Sequence, residues 1–269
     1  MRDSAYRSVP FALPQIAHNY GEKVHIVADV LGLSLLARLG HPDTHQPDAN
    51  RLLERLYNIL YSGVVNELFP RADGEVESRM SGSVPGAAYR GEVIAPGTRA
   101  VLVGVARAGT LPAYQGFALL NDVLDPSGVR VDHIYMQRRT DHDGKVIGVD
   151  LGGSKFGGDV DRAFVILPDP MGATGSSISD AIGLVKTLPG APTEIICVHL
   201  IITPEYIARV RNDHPDVHIF ALRLDRGMSS ADVLAEKPGT AEPEFGMNEV
   251  QFIVPGAGGL GELINNSDC

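Results

Sequence analysis

A turn of small and hydroxyl-bearing residues is the part of this sequence best suited to chemistry. It follows Asp169 and comprises Gly172, Ala173, Thr174, Gly175, Ser176 and Ser177. Glycine lets backbone amides approach a ligand closely, and the free amides and dipole of a following helix favour an anion. The composition therefore predicts a phosphate-binding turn or, with about equal weight, a plain turn that caps a helix. No lysine precedes the hydroxyl residues, so the turn is not a Walker loop.

The elements on either side of this turn predict an α/β fold. From residue 100 onward, apolar runs of strand length alternate with helical stretches. The predicted strands are 100–106, 131–136, 163–168, 194–202, 217–224 and 250–254, and the predicted helices are 112–124, 176–188 and 203–215. Because the strands lack polar alternation, we expect a mostly parallel central sheet flanked by helices, with ligands at the carboxyl ends of its strands.

The N-terminal third predicts helices and connections that pack on this sheet. Residues 1–45 predict an extension around one buried amphipathic helix within residues 27–40. Residues 48–68 place leucines at helical spacing on one face, with Asp48 as the expected N-cap. Residues 70–99 are rich in Gly, Ser, Pro and Arg and predict a long loop with room for short strands.

The composition excludes several classes of protein. The chain has 269 residues, 44% hydrophobic and 21% charged, which excludes global disorder. A net charge of -10 and the absence of Trp argue against nucleic acid as a partner. No stretch has the length of a targeting signal or a bilayer span, so we expect no membrane partner. Two cysteines without ligand spacing favour a cytoplasmic protein, and the lone His199 in an apolar run favours a core residue.

Residues 169–177, Asp-Pro-Met-Gly-Ala-Thr-Gly-Ser-Ser, resemble the loop that binds 5-phosphoribosyl 1-pyrophosphate (PRPP) in type I phosphoribosyltransferases. The Asp-Pro-Met opening resembles the uracil phosphoribosyltransferases in particular. The segment directly after the predicted strand 100–106 resembles the family's pyrophosphate loop. It consists of Arg107, Ala108 and Gly109. Arg138 stands in a sequence similar to the family's Met-x-Arg motif, and residues 138–162 resemble its flexible flap.

Residues 225–262 resemble the family's C-terminal base-binding segment. By position, the carbonyl of Ile253 and the amides around Gly259, on Gly258 and Leu260, would bind the base. The family usually has Asp where this chain has Gly259, and a second Asp where it has Glu262. The string 256–261 also matches the dinucleotide fingerprint, but only eight residues follow it, too few for the required helix and acidic residue.

The resemblance implies a type I phosphoribosyltransferase-like fold that transfers a phosphoribosyl group from PRPP to a nucleobase, with uracil giving UMP in pyrimidine salvage. It implies an N-terminal extension over residues 1–99 and a core over residues 100–269 in one compact domain. The loop 173–177 would hold the 5′-phosphate, and Met171 and Gly172 would also contact PRPP. Asp169 would hydrogen-bond the ribose hydroxyls and favour a cation-like sugar in the transition state, while Arg107 and Arg138 would stabilise the departing pyrophosphate.

The resemblance also implies partners. Mg²⁺ is expected to bind mainly through PRPP rather than through protein ligands, and a homodimer or higher homo-oligomer is expected. Because Gly259 removes a family carboxylate, two alternatives stay open: a phosphoribosyltransferase for a non-uracil acceptor, and a non-catalytic sensor of PRPP or a nucleotide.

Overall fold

The computed structural model describes residues 3–140 and 146–267 and contains one central eight-stranded sheet and a separate two-stranded one. The strands are β1 (Val24–Ile26), β2 (Arg71–Glu77), β3 (Ala88–Ile94), β4 (Arg99–Ala106), β5 (Val129–Thr140), β6 (Val146–Lys155), β7 (Ala163–Pro168), β8 (Met171–Gly172), β9 (Glu194–Ile202) and β10 (His218–Leu224). The helices are α1 (Val30–Leu39), α2 (Asp48–Leu68), α3 (Thr110–Asn121), α4 (Ser176–Val185), α5 (Pro204–Asp213), α6 (Ala231–Ala235) and α7 (Leu260–Asn265).

The central sheet runs in the order β1-β10-β9-β7-β4-β5-β6, and β8 adds to β9. Within the described residues its neighbours pair in parallel, apart from the antiparallel hairpin of β5 and β6. The expected α/β fold class, with a mostly parallel sheet, is confirmed. The strands β7 and β9 match the predicted ranges 163–168 and 194–202 because both are mostly apolar and almost fully buried.

Helices cover both faces of the sheet, and the alternation of side chains along β4 shows how. Leu102 belongs to a buried cluster with α1, α2 and α3, whereas Val101 and Val103 belong to a second cluster with α4 and α5. Successive residues of a strand point to opposite faces, so an all-apolar strand needs cover on each side. The two layers hold the strand ends in fixed positions, and the loops at those ends carry the candidate site.

The N-terminal extension contributes directly to the sheet. β1 pairs in parallel with β10 at the sheet edge.

The N-cap of α2 is Pro47 and not the expected Asp48. Asp48 lies instead inside the first turn, where its carboxylate is 3.4 Å from the Nη1 of Arg51, so the prediction of an Asp48 cap was wrong.

The predicted strand at residues 250–254 was wrong. Asn248 closes a turn there, because its side chain accepts a hydrogen bond from Phe252 N (2.9 Å) and its own N–H donates to the Phe252 carbonyl (2.9 Å). Gln251 has a φ of 65°, a left-handed conformation that breaks an extended strand. Val250 and Phe252 are more than half exposed, so the apolar pattern here does not mark a buried element.

The region 70–99 is more regular than a long loop. β2 and β3 form an antiparallel ribbon over seven paired positions. These are short strands of the kind that the sequence allowed within residues 70–99.

No helix in the described part of the chain combines the length and the apolar character that crossing a bilayer requires.

His25 at the edge strand β1 packs among other ring side chains. It stacks on Phe220 with ring centroids 4.2 Å apart, and its Nε2 lies 3.1 Å from the Nδ1 of His218. Burial, with a smaller effect of the neighbouring His218, lowers the pKa of His25 to about 4. The folded protein therefore holds this ring neutral where the unfolded chain takes up a proton.

We expect the free energy of unfolding to fall as the pH is lowered from about 6.5 toward 4, because protons then favour the unfolded chain. The variant His25→Gln should flatten this dependence by at most about 1.4 kcal/mol per pH unit, the linkage of a single proton. Urea denaturation of both proteins at pH 7.5 and pH 5 checks this. Burial also lowers the pKa of His18, His199 and His218, so part of the slope should remain. Equal slopes in the two proteins would contradict the assignment to His25.

Candidate functional site

The segment after β7 is bonded to β9 along most of its length. The N–H of Asp169 donates to the Val198 carbonyl (3.0 Å), and the short strand β8 pairs with the end of β9. Thr203, the N-cap of α5, donates its N–H to the Gly172 carbonyl (3.1 Å) and its hydroxyl to the Ala173 carbonyl (2.6 Å). The backbone from 169 to 173 is therefore fixed, and the turn that follows starts from a defined point.

Gly175 begins α4 in a left-handed conformation, with a φ of 78°. A side chain at this position would be strained and would also press on Arg209, since a Cβ would lie 3.2 Å from the Arg209 Cβ. The hydroxyl of Thr174 accepts a hydrogen bond from Ser176 N (3.3 Å). A left-handed residue followed by the first turn of a helix directs backbone N–H groups into one concave space, which is an arrangement that binds anions.

A small cavity of about 30 Å³ lies in this turn. Eight of its lining residues were predicted to bind PRPP and three were not: Asp169, Met171, Gly172, Ala173, Thr174, Gly175, Ser176 and Ser177, together with Ile178, His199 and Tyr206. Asp169 is the single carboxylate among them. The Oδ1 of Asp169 accepts a hydrogen bond from Met171 N (3.1 Å), which orients the side chain within the loop.

His199 is fully buried, as a core residue would be, but it also contacts the loop. Its Nδ1 lies 2.5 Å from the Asp169 carbonyl, and its Nε2 lies 2.5 Å from the hydroxyl of Tyr206. Burial lowers the pKa of His199 to about 4 and raises that of Tyr206, so both rings are neutral. The sequence offered one signal for this contact, a polar ring within the apolar run of β9, and it did not identify Tyr206.

The predicted pyrophosphate loop lies beside the phosphate turn. Gly109 sits where β4 and β7 end, and a Cβ on it would lie 2.6 Å from the Pro168 carbonyl and 2.9 Å from Val105 N. Only glycine allows this approach. Ala108 faces the start of α7, since a Cβ on Gly261 would lie 3.5 Å from its side chain.

Arg107 is half exposed and follows a cis peptide bond from Ala106. Its guanidinium donates a hydrogen bond to the Ser267 hydroxyl (2.8 Å) and lies 4.0 Å from the Glu262 carboxylate. The side chain thus reaches the C-terminal segment rather than the core. An exposed arginine at the carboxyl edge of a parallel sheet can pair with an anion there.

The C-terminal segment is held by a buried carboxylate. Arg223 binds Asp225 through two hydrogen bonds (2.6 and 2.8 Å), and Asp225 in turn accepts from Gly256 N (2.8 Å). Gly256 and Gly258 have φ angles of 61° and 67°, which this tight loop requires. These contacts place the loop 253–260 against the end of β10.

The predicted base-binding residues lie together in this loop. Ile253 is buried, and its isolated bridge to Met247 fixes its backbone. Gly259 is the N-cap of α7, and the Leu260 amide donates to the Gly258 carbonyl (3.2 Å). None of these four residues lines the cavity in the phosphate turn. They lie at and just before the start of α7, which approaches Ala108 of the predicted pyrophosphate loop.

The connection 231–248 is anchored by two acidic side chains. Glu244, almost fully buried, pairs with Arg226 at 2.6 Å and receives a hydrogen bond from Tyr20 of the N-terminal extension. Glu205 in the first turn of α5 accepts from Gly246 N (3.0 Å). The extension, α5 and the C-terminal segment therefore support one another around the site.

Arg138 lies in β5, opposite Val149 of β6, so the start of the predicted flap 138–162 is a strand of the β5–β6 hairpin. The position of the Arg138 side chain and residues 141–145 of that flap lie outside the described residues. The part played by Arg138 stays a prediction.

The donor set bears on the expected Mg²⁺. Among the described residues, no group of three or more His, Cys, Asp or Glu side chains could hold a metal ion. The cavity offers one carboxylate, on Asp169, together with hydroxyl groups. Mg²⁺ prefers oxygen ligands and is usually held by one or two carboxylates plus substrate phosphates. The residues present therefore fit a Mg²⁺ ion carried largely by a phosphorylated substrate.

Known proteins resemble this chain over most of its length. The uracil phosphoribosyltransferase of Variovorax paradoxus (strain S110) is 29% identical over 208 residues, covering 77% of this chain and 90% of that protein. That of Acidovorax sp. (strain JS42) is 28% identical over 243 residues, covering 90% and 97%. The structure of the AQ2163 protein from Aquifex aeolicus has the same fold, with a TM-score of 0.67, 19% identity, and coverage of 90% and 97%.

The family model for uracil phosphoribosyltransferase matches residues 30–242, most of the chain. That range includes the pyrophosphate loop, the phosphate turn and the start of the C-terminal segment. This protein belongs to the uracil phosphoribosyltransferase family.

Proposed function

We propose that this protein transfers the phosphoribosyl group of PRPP to a nucleobase, with release of pyrophosphate, and that the base is uracil. The carrying observation is the single cavity that joins the Asp169 carboxylate to the turn around Gly175 at the carboxyl edge of the sheet. In the reaction, a ring nitrogen of the base forms a bond to C1′ and loses its proton, while the C1′–oxygen bond breaks and its electron pair leaves with pyrophosphate.

The phosphate turn binds the 5′-phosphate in this proposal. The residues Thr174, Ser176 and Ser177, which carry hydroxyl groups at the start of α4, line the cavity in this turn. A phosphate there gains from several charge-assisted hydrogen bonds and from the helix dipole. This end of the substrate does not react, so its binding fixes the position of the reacting end.

Asp169 acts on the sugar. Its carboxylate accepts hydrogen bonds from the ribose hydroxyls and, as an anion near the ring, stabilises positive charge that develops on the sugar as the bond to pyrophosphate breaks. Arg107 and Arg138 stabilise the negative charge on the leaving pyrophosphate. When bound, Mg²⁺ supplies further charge neutralisation on the pyrophosphate oxygens. No protein nucleophile is needed.

The C-terminal loop binds the base. The Ile253 carbonyl and the amides around Gly259, on Gly258 and Leu260, offer an acceptor and two donors, which suit the edge of a pyrimidine. We also propose that the protein works as a homodimer or a higher homo-oligomer, as members of the family commonly do.

A pyrophosphate-release assay tests the proposal. The protein is mixed with Mg²⁺, PRPP and each base of a panel that contains uracil, cytosine, thymine, adenine, guanine and hypoxanthine. Release of pyrophosphate with uracil alone supports the full proposal. Release with another base instead supports phosphoribosyl transfer but changes the proposed acceptor base. Calorimetric binding of PRPP without release for any base would make the protein a sensor, and the absence of both would overturn the proposal.

Replacing Asp169 by Asn should reduce turnover far more than PRPP binding. The amide keeps the shape but removes the negative charge that favours the transition state, so we expect kcat to fall about 10² to 10³-fold, the cost of losing one such stabilising group. The dissociation constant of PRPP, measured by calorimetry, should change by only a few-fold. Asp122→Asn, at an exposed position after α3, is the matched control and should match the native protein. Equal losses of turnover and of binding in Asp169→Asn would contradict the assigned role.

Gly175→Ala should weaken PRPP binding. The left-handed conformation costs an alanine roughly 1–2 kcal/mol, and relief of that strain would move the turn away from its binding geometry. We expect the KM for PRPP to rise about tenfold or more. Gly183→Ala on the same helix is the control, because a Cβ there meets open space and the change should slightly stabilise the helix. A KM in Gly175→Ala equal to that of the control would show that the turn does not hold the substrate.

A further inference from the structure

We propose that His199 and Tyr206 form a buried hydrogen-bonded pair that positions Asp169 for phosphoribosyl transfer, with the Tyr206 hydroxyl donating to the ring nitrogen of His199 that faces away from Asp169. This inference rests on the proposed function, because it concerns the carboxylate assigned to the sugar. The two residues are positioning residues: they act on Asp169 through its main chain.

The two hydrogen bonds of His199 show which atom donates and which accepts in each contact. A backbone carbonyl can only accept, so the Nδ1 of His199 must carry the proton that it gives to the Asp169 carbonyl at 2.5 Å. In a neutral ring the Nε2 is then an acceptor, and the Tyr206 hydroxyl donates to it at 2.5 Å. The order Tyr206 to His199 to Asp169 follows from these contacts alone.

The pair has no freedom to rearrange. His199 and Tyr206 are 0% and 1% exposed, so water does not compete for their hydrogen bonds. The Tyr206 N–H donates to the Thr203 hydroxyl (3.0 Å), and a Cβ on Gly172 would lie 2.8 Å from the Tyr206 ring. The ring is thus clamped between the start of α5 and the phosphate loop itself.

Both peptide groups of Asp169 are held as a result. Its N–H donates to the Val198 carbonyl, and its carbonyl accepts from His199, the next residue along β9. With the main chain fixed on both sides, rotation of the carboxylate is limited to its side-chain torsions. A shift of a reacting group by about 1 Å can lower a rate by 10²-fold, so such fixation matters for turnover.

Packing alone does not require this pair. Two apolar side chains of similar volume would fill the space without the cost of burying polar groups, which is about 1–3 kcal/mol for a group left without a partner. Nearby positions in the same buried cluster, such as Cys197 and Ile202, are apolar or nearly so.

Tyr206→Phe tests the inference with the loss of one oxygen. The ring still packs, but Nε2 becomes a buried acceptor without its donor, so the His199 ring loses one of the two hydrogen bonds that hold it against the Asp169 carbonyl. We expect kcat to fall about tenfold, the effect of roughly 1.4 kcal/mol, with the KM for PRPP within twofold of the native value. His199→Leu, which removes the donor to the carbonyl, should show the same split between kcat and KM.

Nitrogen-15 NMR of the histidine rings gives a readout independent of activity. The native protein should show one ring with a protonated Nδ1 and an unprotonated Nε2, and this signal should vanish in His199→Leu, which assigns it. In Tyr206→Phe the same ring should keep its proton on Nδ1, whereas the signal of its Nε2 should shift because that nitrogen loses its hydrogen-bond donor. A native ring with its proton on Nε2 would overturn the inference, whether or not the protein turns over any base.

Tyr61→Phe is the matched control. Tyr61 is also fully buried, and its hydroxyl donates one hydrogen bond to the Pro112 carbonyl (2.7 Å), away from the phosphate loop. Both Tyr→Phe variants should lose a similar part of their stability in urea, whereas only Tyr206→Phe should lose kcat. Native kcat in folded Tyr206→Phe, or an equal loss of kcat in Tyr61→Phe, would reduce the pair to a structural role and overturn the inference. If no base supports turnover, the proposed function fails and the NMR outcome alone decides the inference.

Discussion

The attachment of the segment 169–173 to β9 is the constraint on which the site depends. β7 ends at Pro168, yet the chain continues to bond with β9 through the Asp169 N–H and through β8. The Thr203 hydroxyl then holds the Ala173 carbonyl. A loop tied at so many points loses most of its conformational entropy in folding rather than in binding. The turn around Gly175, to which the proposed function assigns the 5′-phosphate, therefore follows a segment that is already fixed.

The same attachment brings the second loop into place. β4 lies beside β7 in the sheet, so their carboxyl ends meet, and Gly109 fills the junction against the Pro168 carbonyl. A larger residue at 109 would separate the two loops. The distance between the phosphate end and the pyrophosphate end of a substrate is therefore set by the strand spacing, about 4.8 Å per neighbour, and by one glycine.

Parts of the fold that depend on local composition were predictable from the sequence. β7 is an uninterrupted apolar run, and β9 is apolar apart from Glu194 and His199. Thr203-Pro204 begins α5 as expected, with the Thr203 side chain accepting from Tyr206 N. The strand expected at 250–254 was wrong because apolar residues there are exposed and a left-handed Gln251 turns the chain. Apolar content indicates burial only when the neighbouring chain covers it, and a sequence pattern does not contain that information.

Some residues of the candidate site were likewise predictable from the sequence, and others were not. The phosphate turn concentrates its small residues in one short segment, so the sequence reveals it, and the structure places the whole segment around one cavity. His199 and Tyr206 come from β9 and α5, and only the fold brings them under Asp169. A residue that acts through another element leaves little trace in its own segment. Contacts of this kind exist only in the folded chain and are not encoded by the pattern of either segment alone.

The two departures from the family pattern in the C-terminal loop are linked in space. The Glu262 carboxylate occupies the space above Gly259 that a side chain at 259 would need, and its other oxygen faces Arg107 at 4.0 Å. An Asp at 259 and the present position of Glu262 therefore exclude each other. The loop keeps a carboxylate beside the pyrophosphate arginine although residue 259 carries none. This carboxylate comes from α7 rather than from the loop itself, so in the proposed function the placement of α7 bears on the choice of base.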